Sequence, residues 1–284
     1  MGRAGHRGEG QRVFETVLVA DRGLLAVRVI RSCQRLGIKA VSCVAEGDEH
    51  ALHALVADEV IALGPAADQL SRNDLIQAFI EAALVSGATA IHPGGARDLG
   101  VAGFAQAVLA AGLIWAGAPL AGLTPWSETV RRGDRALLWE TAPPVAGQAA
   151  QPGVVGPDRL VEAVTGLDLV ERQLRHAAGE PLDDVPAPSG HAIQAALYAG
   201  PQTLVPVAVR GWVVPEHDGV VIDAVLADGA WLTRHDDAVL ARVTAHGRDR
   251  AQALDRLTAA VDGIAVTEPP AELEALRALL RESR

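Results

Sequence analysis

Two short stretches of this chain carry residue types that could do chemistry. Asp21-Arg22-Gly23 follows the apolar run Val17–Ala20, and the end of a buried strand is where open α/β sheets bind ligands. His235-Asp236-Asp237 combines an imidazole with two carboxylates, the side chains of acid–base catalysis or of half a metal site. Each stretch also has a structural interpretation. The first could be a retained turn with a structural salt bridge, and we favour that interpretation. The second could be a solvated loop, which we also favour because no second histidine pair stands at ligand spacing.

Two further histidines border apolar runs, and both favour a structural role. His92 stands in IHPGG and His191 in SGHAI. The sequence contains no Gly-x-Ser-x-Gly, His-Glu-x-x-His or Cys-x-x-Cys motif, so the usual signatures of a hydrolase, a zinc site or a redox pair are missing. The sequence therefore predicts no metal and no cofactor. The weak candidates for catalysis are Asp21, His235, Asp236 and Asp237.

Tryptophan is unusually frequent among the aromatic residues. There are five tryptophans, against one tyrosine and three phenylalanines. Large apolar side chains could simply cover exposed apolar surface, or they could form the walls of a pocket for an apolar organic ligand, with a few polar groups at its mouth. We keep both interpretations. The candidate ligand-binding residues are Trp126, Trp139, Arg135, Trp212, Trp231, Arg22 and His191.

Apolar periodicity predicts an α/β fold for the first half, because strands that alternate with helices form a parallel sheet with helices on both faces. The predicted strands are Val17–Ala20, Ala40–Val44, Glu59–Leu63, Ala90–His92 and Leu113–Ala116. The predicted helices are Leu24–Leu36, Ala51–Val56, Asp74–Ser86 and Phe104–Ala111. Gly37 and Gly87 follow two of these helices and fit C-terminal caps.

The second half has a different pattern. Residues 140–158 are rich in Pro, Gly and Ala and predict a linker. One helix, Arg159–Ala178, is predicted next, followed by the short alternating runs AIQAALY, GWVVPE, VVIDAVL and VLARVTAH, which favour a small antiparallel sheet. Helices are predicted at Asp249–Asp262 and Glu272–Arg281. The predicted division is a disordered tail at 1–12, an α/β domain at 13–139, the linker at 140–158 and an α+β domain at 159–284.

Composition limits the classes of function. The formal net charge is −10, which disfavours a general nucleic-acid surface. Cys33 and Cys43 are the only cysteines, so a reduced, cytoplasmic setting is expected. Leu99–Ser127 lacks charged residues over a length that could span a bilayer. Its glycines and prolines favour a buried helix and strand, and no membrane contact is predicted.

Several of these stretches resemble one family. VLVADRGLLAVRVIRSCQRLGIKAVSCV, HALVADEVIALGP and TAIHPGG are similar to the N-terminal domain of biotin carboxylase, the ATP-grasp component of the biotin-dependent carboxylases. VEAVTGLDLVERQLRHAAGEPL, SGHAIQAALYA and HDDAVLARVTAHGRDRAQALDRL are similar to its C-terminal domain. The resemblance covers roughly residues 14–137 and 161–284.

The resemblance implies that much of the catalytic machinery is missing. The family places a large ATP-grasp lid and part of its catalytic core between these two regions, where this chain has the short linker, with no glycine-rich phosphate loop and with Asp158 as the nearby carboxylate. Retained positions also differ. The family's turn asparagine is Asp21, its phosphate-binding lysine is Arg135, and two of its arginines are Ala196 and Val221, whereas Asp237 matches a family aspartate. We expect neither ATP binding nor carboxylation.

Two functions fit this pattern. The scaffold could bind an apolar small molecule, with a cofactor-independent cyclisation or isomerisation in bacterial specialised metabolism as its reaction. Alternatively, it could be a non-catalytic pseudo-subunit that pairs with a carboxylase component or a carrier protein. The family dimerises through parts that this chain retains, so a homodimer is expected. However, Arg35 replaces a glutamate of the family in this region, which would remove a charge pair.

Overall fold

Two β-sheets organise the chain in the computed structural model. It describes residues 14–64, 69–95, 99–117, 158–199, 207–233, 239–267 and 271–283, together with the backbone of 128–132 and 137–141. Several predictions lie outside the described residues: the tail at 1–12, Trp126, Arg135, His235, Asp236, Asp237, and the linker apart from its two ends. The side chain of Trp139 is also outside this description.

The first sheet is parallel, with the strand order β3-β2-β1-β4-β5. Its strands are β1 (Thr16–Val19), β2 (Lys39–Val44), β3 (Glu59–Ala62), β4 (Ala90–His92) and β5 (Ile114–Trp115). Its helices are α1 (Gly23–Arg35), α2 (Leu52–Val56), α3 (Arg72–Ser86) and α4 (Val101–Ala110). The α/β fold predicted from the alternating pattern is therefore confirmed, and the strand ends differ from the prediction by one residue or two.

Helices cover both faces of this sheet. On one face Val17 and Val19 pack against Val29 and Ile30 of α1. On the other face Leu18 and Val41 share a cluster with Phe79 of α3 and Phe104 of α4. Period-two alternation along β1 sends successive side chains to opposite faces, which explains why its three buried residues, Val17, Leu18 and Val19, are all apolar.

The second sheet is antiparallel, with the order β10-β12-β8-β7-β6. Its strands are β6 (Glu128–Arg132), β7 (Leu137–Thr141), β8 (His191–Tyr198), β10 (Val220–Ala224) and β12 (Val239–Gly247). A small separate pair is formed by β9 (Val207–Ala208) and β11 (Trp231–Leu232). The helices of this part are α5 (Arg159–Thr165), α6 (Leu169–Ala177), α7 (Arg250–Gly263) and α8 (Ala271–Glu282). The antiparallel sheet expected in the second half is confirmed.

The single helix predicted over Arg159–Ala178 is wrong. Gly166 adopts a left-handed conformation with φ of 73° and ends α5, a backbone state that glycine reaches without strain. Asp168 then caps α6 by accepting a hydrogen bond from the Glu171 backbone N–H. The Gly166-Leu167-Asp168 stretch therefore contains both a stop and a start signal, and the apolar periodicity on either side conceals the break.

Two other features of the second half were not predicted as they occur. The β6–β7 hairpin precedes the linker, and β7 pairs with β8 through Leu137↔Ala196 to Glu140↔Ile193. Residues 137–141 therefore belong to the antiparallel sheet. The run GWVVPE does not form a strand of that sheet, since its ladder contact is an isolated bridge between Val213 and Ala265. None of the helices in the described part of the chain has the length and apolar character needed to cross a bilayer.

Candidate functional site

The turn after β1 lies at the carboxyl edge of the parallel sheet, and Asp21 fills it. Its Oδ1 accepts a hydrogen bond from the Arg22 backbone N–H at 2.8 Å, and its Oδ2 accepts one from the Gly95 backbone N–H at 2.8 Å. Gly94 has φ of 59°, and a Cβ atom there would overlap the Asp21 carboxylate. Asp21 thus fastens the loop after β4 to the turn after β1, at the crevice where the strand order reverses.

His92 has a structural role in the same edge. It is fully buried, its Nδ1 accepts a hydrogen bond from the Gly94 backbone N–H at 3.0 Å, and its Nε2 lies 3.0 Å from Oε1 of Gln173 on α6. Because the amide oxygen can only accept, Nε2 carries a proton. Because Nδ1 accepts from Gly94, it carries none, and the ring is therefore neutral. Burial lowers the pKa of His92 to about 4, although the hydrogen bond to Gln173 opposes this shift.

The loop after β2 contacts the C-terminal region. The Thr233 hydroxyl donates to Oδ1 of the buried Asp48 at 2.6 Å, and the Trp231 backbone N–H donates to the His50 carbonyl at 2.9 Å. The Trp231 ring is partly exposed and its centroid lies 5.8 Å from that of His50. Asp48 thus joins the two sheet regions through a buried hydrogen bond.

His53 lies behind this contact, on α2. It is 2% exposed, and among the described residues neither ring nitrogen has a hydrogen-bond partner. Burial lowers its pKa to about 4, the Asp48 charge opposes the shift, and the Arg22 charge adds to it. An imidazole beside a carboxylate can in principle transfer protons, but one with so low a pKa is a weak base at neutral pH. We therefore assign His53 to the structural junction.

A buried ionic network holds α1, α5 and β10 together. Arg28 of α1 pairs with Glu162 of α5, and both side chains are almost fully buried. Arg159 donates to the other Glu162 oxygen at 2.8 Å and makes a two-pronged contact with Asp223 of β10, at 2.8 Å for each hydrogen bond. The Leu169 backbone N–H donates to Glu162 at 2.6 Å. Two arginines therefore face two carboxylates.

Burial and pairing act in opposite directions within this network. Burial raises the pKa of Glu162 and lowers that of Arg28, which reflects the cost of taking each charge out of water. Burial would raise the pKa of Asp223 as well, but the hydrogen bonds and charge of Arg159 outweigh it and hold that pKa below its usual value. Glu162 and Asp223 are therefore already engaged by arginines of the same chain.

The structure brings some of the sequence-predicted site residues together and separates others. Trp231 contacts His50, and the Arg22 charge acts on His53, so both residues border segment 48–53. Trp212 instead packs half-buried against the core of the antiparallel region, and its backbone N–H donates to Asp228 at 3.1 Å. His191 begins β8 and pairs in register with Gly247. The described rings of Trp212 and Trp231 therefore have different neighbours.

Sequence patterns did not point to Asp48, His53, Arg28 or Glu162. A signal existed for Arg28, because it lies four residues after the apolar Leu24, on the same face of α1, and both of its neighbours in sequence are apolar. A charged residue there predicts a buried ionic partner. The partner itself is 134 residues away in sequence, and no local pattern could have identified it.

Comparison with known proteins agrees with this architecture. Residues 13–123 match the family model described as biotin carboxylase, N-terminal domain. The biotin carboxylase of Allochromatium vinosum is 37% identical over 145 residues, which are 51% of this chain and 30% of that protein. The biotin-dependent acyl-coenzyme A carboxylase alpha3 subunit of Mycobacterium leprae is 42% identical over 149 residues, or 52% of this chain and 23% of that subunit. The matched segment therefore spans less than a third of each relative.

Solved structures extend the likeness in fold to nearly the whole chain. Urea carboxylase of Kluyveromyces lactis superimposes with a TM-score of 0.75 at 23% identity, over 95% of this chain and 31% of that one. Pyruvate carboxylase of Rhizobium etli gives a TM-score of 0.73 at 21% identity, over 94% of this chain and 39% of that one. The fold is thus similar to that of these two carboxylases. The resemblance to biotin carboxylase is confirmed, and residues 13–123 match the N-terminal domain of that family.

Proposed function

We propose that this protein is a biotin carboxylase relative that neither binds ATP nor carboxylates biotin. One observation supports this above all. Only 16 residues, 142–157, connect the end of β7 at Thr141 to Asp158 at the start of α5. A domain needs about 50 residues or more, so an ATP-grasp domain does not fit between them.

The residues beside this connection support the same proposal. The side chain of Asp158 caps α5 by accepting a hydrogen bond from the Leu160 backbone N–H at 2.8 Å. Glu162 faces Arg28 and Arg159. Magnesium bound to a triphosphate needs carboxylate oxygens that are free to coordinate it, and both of these acids already have partners.

The scaffold that remains is proposed to bind an apolar small molecule. The proposed contacts are the residues at the connection, Trp126, Arg135 and Trp139, and those at or near the junction with the C-terminal region, Arg22 and Trp231. Trp212 and His191 remain candidates from the sequence. A cofactor-independent cyclisation or isomerisation is the proposed reaction class, because such steps depend on shape and a few hydrogen bonds rather than on phosphate chemistry. Asp21 and the 235–237 carboxylates and imidazole are its weak candidates for proton transfer.

Calorimetry with magnesium and ATP tests the first part of the proposal directly. The full chain should give no binding heat at millimolar nucleotide, while a full-length biotin carboxylase measured in parallel should bind. Micromolar ATP binding would contradict the proposal. Native mass spectrometry of the same preparation should then reveal a retained apolar metabolite, and repeated preparations without any such ligand would remove the support for a small-molecule role.

A second candidate function is that of a non-catalytic pseudo-subunit that pairs with a carboxylase component or a carrier protein, and a homodimer is proposed separately. Leu84 and Val85 end α3, Leu109 lies near the end of α4, and all three are more than half exposed. Since α3 and α4 run back from the carboxyl edge, these residues lie toward the opposite, amino edge of the sheet, where exposed apolar side chains favour association. Arg35 pairs with Asp168 of its own chain at 2.5 Å. Sedimentation with a carboxylase component or a carrier protein should show a complex, and the absence of any complex would exclude the pseudo-subunit. Sedimentation of the chain alone tests the homodimer.

A further inference from the structure

A cleft lies between the first turns of α3 and α4, on the face of the parallel sheet away from α1. Its volume is about 490 Å³, within the range of small-molecule sites. Its floor is apolar, with buried Ile76 and Leu99, and its rim carries Arg72, Asn73 and Gln77 from α3. Among the described residues that line the cleft, none is acidic and Arg72 carries the formal charge. These residues therefore form an amphipathic site with a positive rim.

Arg72 places its positive guanidinium against the positive, N-terminal end of α4. A Cβ atom on Gly100 would lie 3.4 Å from Nη1 of Arg72, so the guanidinium lies directly against the residue that precedes α4. Gly100 provides no side-chain cap, and the first turn of α4 contains no acid. Because the amides of the first turn lack helical partners and carry the positive end of the helix dipole, a cation beside them is unfavourable unless an anion lies between.

The described residues supply no such anion. Arg72 is exposed and forms no ion pair among them. Asp74, the acid in the first turn of α3, instead accepts a hydrogen bond from the Ser71 hydroxyl at 2.6 Å. The guanidinium, the rim amides of Asn73 and Gln77, and the first-turn backbone of α4 therefore converge as donors on one space above an apolar floor.

We propose that this cleft binds a small organic anion, whose carboxylate or phosphate lies between Arg72 and the start of α4 and whose short apolar body rests on Ile76 and Leu99. The site is independent of the function proposed above, since it shares no residue with the connection at 142–157 or with the 48–53 junction. A guanidinium and backbone amides together recognise a planar or tetrahedral oxyanion. The apolar floor selects against inorganic anions.

The test uses the full chain and four probes: hexanoate, hexyl phosphate, hexanol and inorganic phosphate. Backbone amide shifts from nitrogen-15 NMR report the location, and calorimetry reports the affinity. We expect hexanoate or hexyl phosphate to bind and to shift the amides of Val101, Ala102 and Gly103, and comparison of the two anions distinguishes a carboxylate site from a phosphate site. Hexanol lacks the charge and phosphate lacks the apolar body, so both should bind much more weakly.

Matched variants locate the site. Arg72→Gln should weaken binding of the anionic probe by roughly tenfold or more, since a charged hydrogen-bond donor is lost. Arg31→Gln removes another exposed arginine, from α1 on the opposite face, and should leave binding unchanged. Ala107→Leu should fill the cleft and reduce binding, whereas Ala110→Leu, at an exposed position three residues later on the same helix, should not. The proposal is overturned if no anionic probe binds, if Arg72→Gln binds as well as the parent, or if the shifted amides lie elsewhere.

Discussion

Loss of the Glu162 side chain should lower the free energy of unfolding strongly, because the carboxylate is buried and shared by two arginines. Glu162→Ala would leave Arg28 in the interior without its carboxylate and would also free the Leu169 backbone N–H. Removing one partner of a buried ion pair typically costs about 3–5 kcal/mol of the free energy of unfolding. Urea denaturation followed by circular dichroism should show a loss of this size.

An exposed pair provides the control for that substitution. Glu171 and Arg175 form an ion pair at 2.8 Å on the surface of α6, and Glu171→Ala should lower the free energy of unfolding by less than about 1 kcal/mol. The double variant Arg28→Met with Glu162→Leu should recover much of the lost stability, since apolar replacements of buried pairs are often tolerated. Equal losses for Glu162→Ala and Glu171→Ala would mean that burial of the network has no energetic consequence.

At the scale of elements, the connection between β1 and β4 depends on the absence of a side chain at Gly94. Gly94→Ala introduces a methyl group that overlaps the Asp21 carboxylate and places alanine at φ of 59°. The left-handed backbone alone costs about 1–2 kcal/mol, and displacement of Asp21 from the Gly95 amide should add about 1–3 kcal/mol. The midpoint of thermal unfolding should fall accordingly.

Gly112 separates the two contributions. It also has a left-handed backbone, with φ of 76°, but a Cβ atom there would have no neighbour within 4 Å. Gly112→Ala should therefore show the backbone cost alone. If Gly94→Ala and Gly112→Ala reduced the free energy of unfolding equally, Asp21 would not be held by the close approach that we describe.

The elements that could be predicted from the sequence are those whose signals are local. The strand–turn–helix units of the parallel sheet follow from apolar runs ended by glycine caps, as in α3 with Gly87. The break between α5 and α6 was missed because the apolar positions on both sides fit one helical period. The β6–β7 hairpin was missed because its partner β8 begins 50 residues after β7 ends, and sheet pairing over that distance leaves no local pattern.

The candidate site likewise contains residues that local sequence could place and contacts that it could not. Asp21 could be placed at the carboxyl edge of the sheet from the residues around it, whereas its partner Gly95 depends on how β4 pairs with β1. The contact of Asp48 with Thr233 joins residues 185 apart. Such contacts arise only when the two sheets have packed against each other, so the junction is a property of the tertiary fold.

At the scale of the whole molecule, two buried neutral histidines join the parallel sheet to the later part of the chain. His92 contacts Gln173 of α6, and His53 lies behind the junction of Asp48 with Thr233. Burial lowers both pKa values from 6.5 to about 4. Because the unfolded chain binds these protons more readily, stability is greatest above pH 6.5 and falls as the pH decreases toward 4, by about 2 kcal/mol for each histidine at pH 5.

Urea denaturation at pH 7 and pH 5 measures this coupling, and histidine variants assign it. Burial raises the pKa of Glu162, so its contribution to stability decreases as the pH rises, opposite to that of the histidines. The informative quantity is therefore how far a substitution changes the loss of stability between pH 7 and pH 5. His53→Gln should reduce the loss between pH 7 and pH 5 by about 2 kcal/mol, whatever its effect at pH 7. His176→Gln, at an exposed position on α6, should leave the loss unchanged. An unaltered pH dependence in His53→Gln would mean that this imidazole is protonated without separating the two regions, and the junction would then have to accommodate a buried charge paired with Asp48.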